Sequence, residues 1–163
     1  MTDFLAQRVG HTHTIYLPGT PDELFPLFTP EGEKRWADGW DFIPVFPGQE
    51  IEENMIFTTA AHDHGQMDAI WIVSRYEPAN YFVEYQRVEP GVKVGRIRVQ
   101  CLAAEGEGNG QTRITIEYVY TALSEAGNAF LEGFKASFYA HFIQSWQTAI
   151  LHYLQTGHIL AHP

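Results

Sequence analysis

The sequence predicts an α+β domain in which a curved antiparallel β-sheet wraps around one long carboxy-terminal α-helix, with two short helices after the first strand. Three observations predict it. Roughly a hundred residues of strand-like sequence precede one helical segment, Glu125 to Thr156. That segment repeats aromatic residues at helical spacing, and from Ala136 to Pro163 the chain has no Asp, Glu, Lys or Arg. At ~100° per residue, Leu131, Phe134, Phe138, Phe142, Trp146, Ala149 and Tyr153 fall on one stripe, the pattern of a helix lying against a sheet.

Taken in order, His11 to Leu17 reads as a first strand. Thr20-Pro21-Asp22-Glu23 follows, with Thr able to cap, Pro at the first helical position and Glu three residues after the cap, which predicts a short helix to Leu27. Thr29-Pro30-Glu31 repeats the start signal and predicts a second short helix through Trp36. Ala37 to Gly48 is an aromatic loop carrying Trp40, Phe42 and Phe46.

Strands are predicted at Asn54–Ala60, Met67–Tyr76, Tyr81–Val88, Val92–Ala103 and Thr112–Thr121, separated by His64-Gly65, Pro78-Ala79-Asn80, Pro90-Gly91 and the Gly-rich loop Glu105 to Gly110. A hairpin centred on Pro90 sets Glu84 opposite Arg96, and one centred on the Gly-rich loop sets Arg98 opposite Glu117. The other face then carries Tyr81, Val83, Tyr85, Ile97, Val99, Cys101, Ile114, Ile116, Tyr118 and Tyr120, the alternation of a sheet covered on one side. For Met67–Tyr76 the register stays open, because a slip of one residue exchanges Ile70, Ile72 and Ser74 for Ala69, Trp71 and Val73.

The 163 residues fit one domain spanning 1–163. A formal net charge of -10 argues against nucleic acid and anionic lipid surfaces, which bind clustered Lys and Arg. The longest apolar run, Ala69 to Val73, is too short to insert into a membrane, no signal-peptide run opens the chain, and the lone Cys101 asks for no oxidising compartment. Cytoplasm is the expected location.

The order of elements resembles the helix-grip fold of the START-like (SRPBCC) superfamily, which includes plant pollen allergens, polyketide cyclases and the Hsp90-activator homology domain. Pro21 to Phe28, then Glu31-Gly32-Glu33-Lys34-Arg35-Trp36 and Gly39-Trp40, are similar to the helix pair and following loop of small bacterial members. Thr121 to Asn128 resembles their junction between last strand and long helix. The resemblance implies a cavity between the sheet and the long helix, taking a small apolar or aromatic molecule. It also implies two alternatives, a cyclase-like enzyme and a protein-interaction module.

Candidate site residues follow from the inward faces. Trp36, Trp40, Phe46, Phe57, Phe138, Phe142 and Trp146 could line a pocket or fill a solid core. All of these except Phe46, with Tyr85 and Val99, form the expected ligand-binding set, together with Arg87, Tyr118 and His141 as candidate polarising groups. Arg87 could hold a carboxylate or phosphate from the inward face, or snorkel to water at its strand end. His141 sits on the flank of the helix stripe, and His152, eleven residues on and so ~16 Å away, cannot share a metal with it.

His62-Asp63-His64 has metal-like donors but no distant fourth ligand, so no metal is expected there; His11, His13, His158 and His162 are weaker still. Cys101 has no His or Asn partner and reads as inert. No phosphate-binding Gly loop, Gly-x-Ser-x-Gly elbow, His-Glu-x-x-His or paired Cys motif occurs, and no cofactor is expected. Tyr139, Ile143, Ile150 and Leu154 form a second apolar flank, with Leu151 further round, which suggests a homodimer unless the sheet wraps far enough to cover them.

Overall fold

The computed structural model describes residues 3–60, 69–105 and 110–161. Seven antiparallel strands run in the order β1-β7-β6-β5-β4-β3-β2. They are β1 (Arg8–Pro18), β2 (Ile43–Pro44), β3 (Ile56–Thr59), β4 (Ala69–Glu77), β5 (Phe82–Glu89), β6 (Lys93–Ala103) and β7 (Gln111–Ala122). From β2 to β7 the sheet is a meander, and β1 closes it by pairing with β7. The connection from β1 to β2 crosses to the other edge through two short helices, α1 (Pro21–Leu24) and α2 (Pro30–Glu33), with a 3₁₀ turn at Phe25–Phe28 between them. Both helices start where the capping residues predict: Thr20 accepts from the Glu23 amide and Thr29 from the Gly32 amide.

Helix α2 is shorter than predicted and turns continue it to Trp36. Gly32 explains its tight seat, since a Cβ there would lie 1.8 Å from the Pro26 carbonyl oxygen. At the far end of the chain the single helix expected over Glu125–Thr156 is two, α3 (Glu125–Gly133) and α4 (Ala136–Thr156). Phe134 leaves helical geometry at φ -84, ψ 70, and Lys135 is extended. The break lets the Phe134 ring drop into the core, 5.0 Å from the Tyr120 ring and 5.8 Å from that of Tyr139. His11 Nε2 donates to the freed Phe134 carbonyl at 2.8 Å.

The break also resets the phase of α4, and this corrects the predicted stripe. Tyr139, Ile143 and Ile150 are the fully buried side chains of α4, and the Tyr139 hydroxyl donates to the Ile116 carbonyl. Phe138 is 57% exposed and Phe142 37%. The sheet therefore covers most of the flank that suggested self-association, leaving Leu151 half-buried and Leu154 exposed.

The β5–β6 register differs from the predicted one, and the structure settles the β4 register that the sequence left open. Glu84 pairs with Arg98 and Gln86 with Arg96, two residues from the hairpin predicted around Pro90. Gly91 takes φ 75, and Val92 donates to the Glu89 carbonyl, so the turn centres on the glycine. Arg98 faces Glu117 as predicted, and Glu84, Arg98, Glu117 and Arg96 form one ion-paired row on the outer face. In β4 the inward set is Ala69, Trp71 and Val73, until a bulge at Ser74 switches faces and turns Tyr76 against the core.

The inward residues of β5, β6 and β7 form the core with Ile15 and Leu17 of β1 and the Phe25–Phe28 turn. Tyr81 differs: it stands just before β5 at φ 54, half-buried, with its hydroxyl on Asp22 at 2.9 Å. Helix α3 leaves β7 against the β5–β6 turn, where a Cβ on Gly127 would lie 2.0 Å from the Val92 carbonyl oxygen.

Two outcomes are expected from urea unfolding. Ile143→Ala loses about 2–5 kcal/mol while Phe138→Ala changes stability by no more than about 0.5 kcal/mol, the reverse order refuting the observed phase of α4. Gly127→Ala costs about 1–3 kcal/mol by overpacking, whereas Gly133→Ala, with nothing within 4 Å of the added carbon, gains about 0.4–1 kcal/mol.

Candidate functional site

Between the concave face of the sheet and α4 lies a cavity of about 620 Å³. Its floor is Tyr85, Ile97, Val99 and Tyr118, its roof Phe142, Ser145, Trp146 and Ala149 of α4, and its mouth the stretch from Trp36 to Asp41. Phe57 of β3 and Trp71 of β4 form a side wall. All four tryptophans of the chain border it. Three of them turn their N–H groups into protein: Trp36 donates to the Leu27 carbonyl (2.8 Å), Trp40 to the Pro30 carbonyl (2.9 Å) and Trp71 to Thr59 Oγ1 (3.0 Å).

Ring contacts brace the walls. Phe57 and Trp71 stack at 5.5 Å, Trp40 meets Trp71 edge-on at 5.6 Å, and Trp36 meets Trp146 at 5.7 Å. The rings lean on one another around the space instead of filling it.

Arg87 faces inward, as the β5 alternation predicts. It stands in a row across four strands, Trp71–Arg87–Gly95–Tyr120. Its guanidinium lies 5.4 Å from the Trp71 ring centre and pairs with Glu89, which also holds Lys93. Gly95 leaves the Tyr120 ring room to lie flat, since a Cβ there would sit 2.6 Å from that ring. Burial works to raise the Glu89 carboxyl, but the hydrogen bond from Lys93 and the charges of Arg87 and Lys93 hold it below its usual range.

The residue that sequence reasoning missed is Glu33. It borders the cavity beside Trp36, and no described residue donates a hydrogen bond to its carboxyl or forms an ion pair with it. Part of its surface opens to the cavity, yet protein surrounds it closely enough that burial pushes the carboxyl well above the usual carboxylate range. A signal existed: on α2, Glu33 is three residues from both Pro30 and Trp36 and so shares their apolar face. The tight seat of Gly32 fixes that face toward the sheet.

Three tyrosines border the cavity together with Glu33. Tyr85 donates its hydroxyl to the Phe28 carbonyl at 2.8 Å, and burial, then the nearby Glu33 charge, raise it well above the usual phenol range. Tyr118 is raised well above that range by burial, then by Tyr120 and Glu33, with Arg87 opposing, so its hydroxyl feels both the carboxyl and the guanidinium. Burial pushes Tyr120 up to about 12, against the pull of Arg87.

Among the predicted site residues, Trp36, Trp40, Phe57, Tyr85, Arg87, Val99, Tyr118, Phe142 and Trp146 border this one cavity. Phe138 and His141 do not: the reset of α4 turns both to solvent. Phe46 is 73% exposed and also lies outside it. His13 accepts from Gln144 at 2.9 Å, and His152 is half-buried on α4. Cys101 is fully buried, its thiol pushed up to about 12 by burial, which suits an inert residue. His62-Asp63-His64 and His162 lie outside the described residues; among those described, no cluster of His, Cys, Asp and Glu could hold a metal.

The arrangement of sheet and helices is similar to that of several solved structures. Norcoclaurine synthase from Thalictrum flavum, solved in complex with dopamine and hydroxybenzaldehyde, superposes with a TM-score of 0.60 at 10% identity, over 91% of this chain and 88% of that one. The chain has the START-like helix-grip fold. The allergen Ara h 8.0201 has a TM-score of 0.53 at 13% identity, over 70% of this chain and 77% of its own. The di-domain ARO/CYC BexL of the BE-7585A biosynthetic pathway has 0.60 at 13% identity, over 91% of this chain and 46% of that chain. No family model matches the chain, and no curated protein matches it. Among the described residues, no helix of this helix-grip chain is long and apolar enough to cross a membrane.

Glu33 has a measurable signature in stability. Its folded carboxyl holds a proton at pH values where the unfolded one has lost it, so stability falls as pH rises from the unfolded range toward the folded one. Of the other shifted groups that border the cavity, Glu89 on β5 is held low and so acts with the opposite sign, while Tyr85, Tyr118 and Tyr120 are raised from an already high phenol range. The lining residues of β3, β4 and α4 add no titratable group. Glu33→Gln is therefore expected to gain stability over the wild type at about pH 8 and little at about pH 4, read from denaturant midpoints.

Proposed function

We propose that this protein binds a small aromatic or otherwise apolar molecule in the cavity between the sheet and α4. Trp36, Trp40, Phe57, Trp71, Tyr85, Val99, Phe142 and Trp146 clasp its body, and Glu33, Tyr118 and Arg87 orient it. The observation that carries this reading is a cavity of about 620 Å³ bordered by every tryptophan of the chain, with a carboxyl inside that no described residue partners. Ligand sites generally combine such apolar walls with a few converging polar groups. A helix-grip neighbour solved with two small aromatic molecules supports it as analogy of fold only.

The size suits the reading. Sites for drug-sized ligands span about 300–1,000 Å³, and this cavity falls within that range. Burying the faces of several large rings against a planar ligand is favourable at roughly 25 cal/mol per Å² of apolar surface, before association costs.

Mass spectrometry of extracts from the purified protein is expected to find a retained aromatic compound, absent from Ala149→Phe, in which a ring projects from α4 into the cavity. Intrinsic fluorescence reads the same event, because every tryptophan borders the site. If the folded wild type retains nothing and no aromatic compound in a panel alters that fluorescence, the reading is wrong.

A further inference from the structure

The side chains around the cavity divide by whether their polar atoms already have partners. The Arg87 guanidinium pairs with Glu89 and Tyr120, the Tyr85 hydroxyl donates to Phe28, Thr59 receives the Trp71 N–H, and Ser145 donates to the Phe142 carbonyl. The Glu33 carboxyl and the Tyr118 hydroxyl are different. Neither makes a hydrogen bond to any described residue, both border the same cavity, and the Tyr118 hydroxyl lies within electrostatic reach of Glu33.

Resting on the reading of the cavity as a ligand site, we propose that Glu33 and Tyr118 form a pair of hydrogen-bond donors for one carbonyl oxygen, which makes a planar aromatic ketone or aldehyde the class of molecule this cavity takes. A carbonyl oxygen has two lone pairs and can accept from both groups at once. The flat body of such a ligand matches the ring-lined walls.

The electrostatics agree with the geometry. Burial disfavours the charged form of both groups, and a charged Glu33 would further oppose ionisation of the phenol, so each is held toward its protonated, donating form. An organic cation would require an ionised Glu33 inside these walls. It would also meet Arg87, whose partner carboxylate Glu89 is shared with Lys93. A neutral carboxylic acid beside a phenol is instead a chemically sound way to hold a carbonyl oxygen and the negative charge that develops on it.

Three probes with one ring system separate the possibilities: acetylnaphthalene, naphthylethylamine and ethylnaphthalene. Each is titrated at neutral pH into the wild type, Tyr118→Phe, Glu33→Ala and Glu33→Gln, following tryptophan fluorescence, with unfolding midpoints confirming that each variant is folded. The ketone is expected to bind the wild type about tenfold or more tighter than the amine or the hydrocarbon. Tyr118→Phe and Glu33→Ala should each weaken the ketone by about tenfold and leave the hydrocarbon unchanged, while Glu33→Gln, whose amide still donates, stays within about threefold of wild type.

An amine that binds tighter than the ketone and is lost in Glu33→Gln overturns the proposal in favour of an ionised carboxylate. Equal binding of ketone and hydrocarbon, insensitive to Tyr118→Phe, overturns it in favour of walls that select by shape alone. Both results leave the cavity as a ligand site. Should none of the three probes bind the folded wild type, the ligand-site reading falls and takes this proposal with it.

Discussion

The break between α3 and α4 governs the rest of the molecule. An unbroken helix from Glu125 would keep Phe134, Phe138 and Phe142 on one line, and that line would face the sheet. Two residues out of helical geometry at Phe134 and Lys135 abolish it. Phe134 drops into the core, His11 takes up its carbonyl, and α4 restarts with Tyr139, Ile143 and Ile150 inward. An orphaned backbone acceptor beside the core would be costly, so the bond from His11 on β1 helps make the break tolerable. It also ties the start of α4 to the edge strand against which the helix lies.

The new phase decides what α4 offers to the cavity. With Ile143 and Ile150 against the sheet, Trp146 and Ala149 reach the inner end of the space and Phe142 reaches its border. The small Ala149 leaves volume where a larger side chain would fill it. On the opposite wall the indole N–H groups of Trp36, Trp40 and Trp71 find partners in neighbouring backbone and Thr59, which leaves the ring surfaces to shape the void. Because the rings brace one another at 5.5–5.7 Å, the space can stay open without any single side chain spanning it.

Much of this was legible in the chain. Capping residues marked both short helices, period-two alternation assigned the inward faces of β5, β6 and β7, and the alternation carried Arg87 to the correct side. What escaped reading involved single residues that change phase. Gly91 moved a hairpin centre by one residue and so a cross-strand partner by two, because its positive φ allows a turn that Pro90 alone does not define. The break at Phe134 is invisible to a periodicity argument, since Phe134 to Lys135 has no helix-breaking residue beyond the preceding Gly133. Glu33 escaped because a carboxylate in a run of charged residues looks solvated, and only the packing of Gly32 against Pro26 shows which way that turn faces.

The bulge at Ser74 gives β4 two separate duties. Before it, Trp71 and Val73 serve the cavity wall and the core; after it, Tyr76 lies stacked with Phe25 at 6.2 Å, beneath the short helices. Ser74 itself is held by Glu84 at 2.8 Å, within the charged row of the outer face. This strand therefore behaves like a sentence read in two frames. Were Ser74 to take a place in the ladder instead of bulging out, every side chain on one side of it would change faces. Either an indole would leave the cavity wall or a tyrosine would leave the support beneath its mouth. The outer charged row thus guards the spacing on which the inner surface depends.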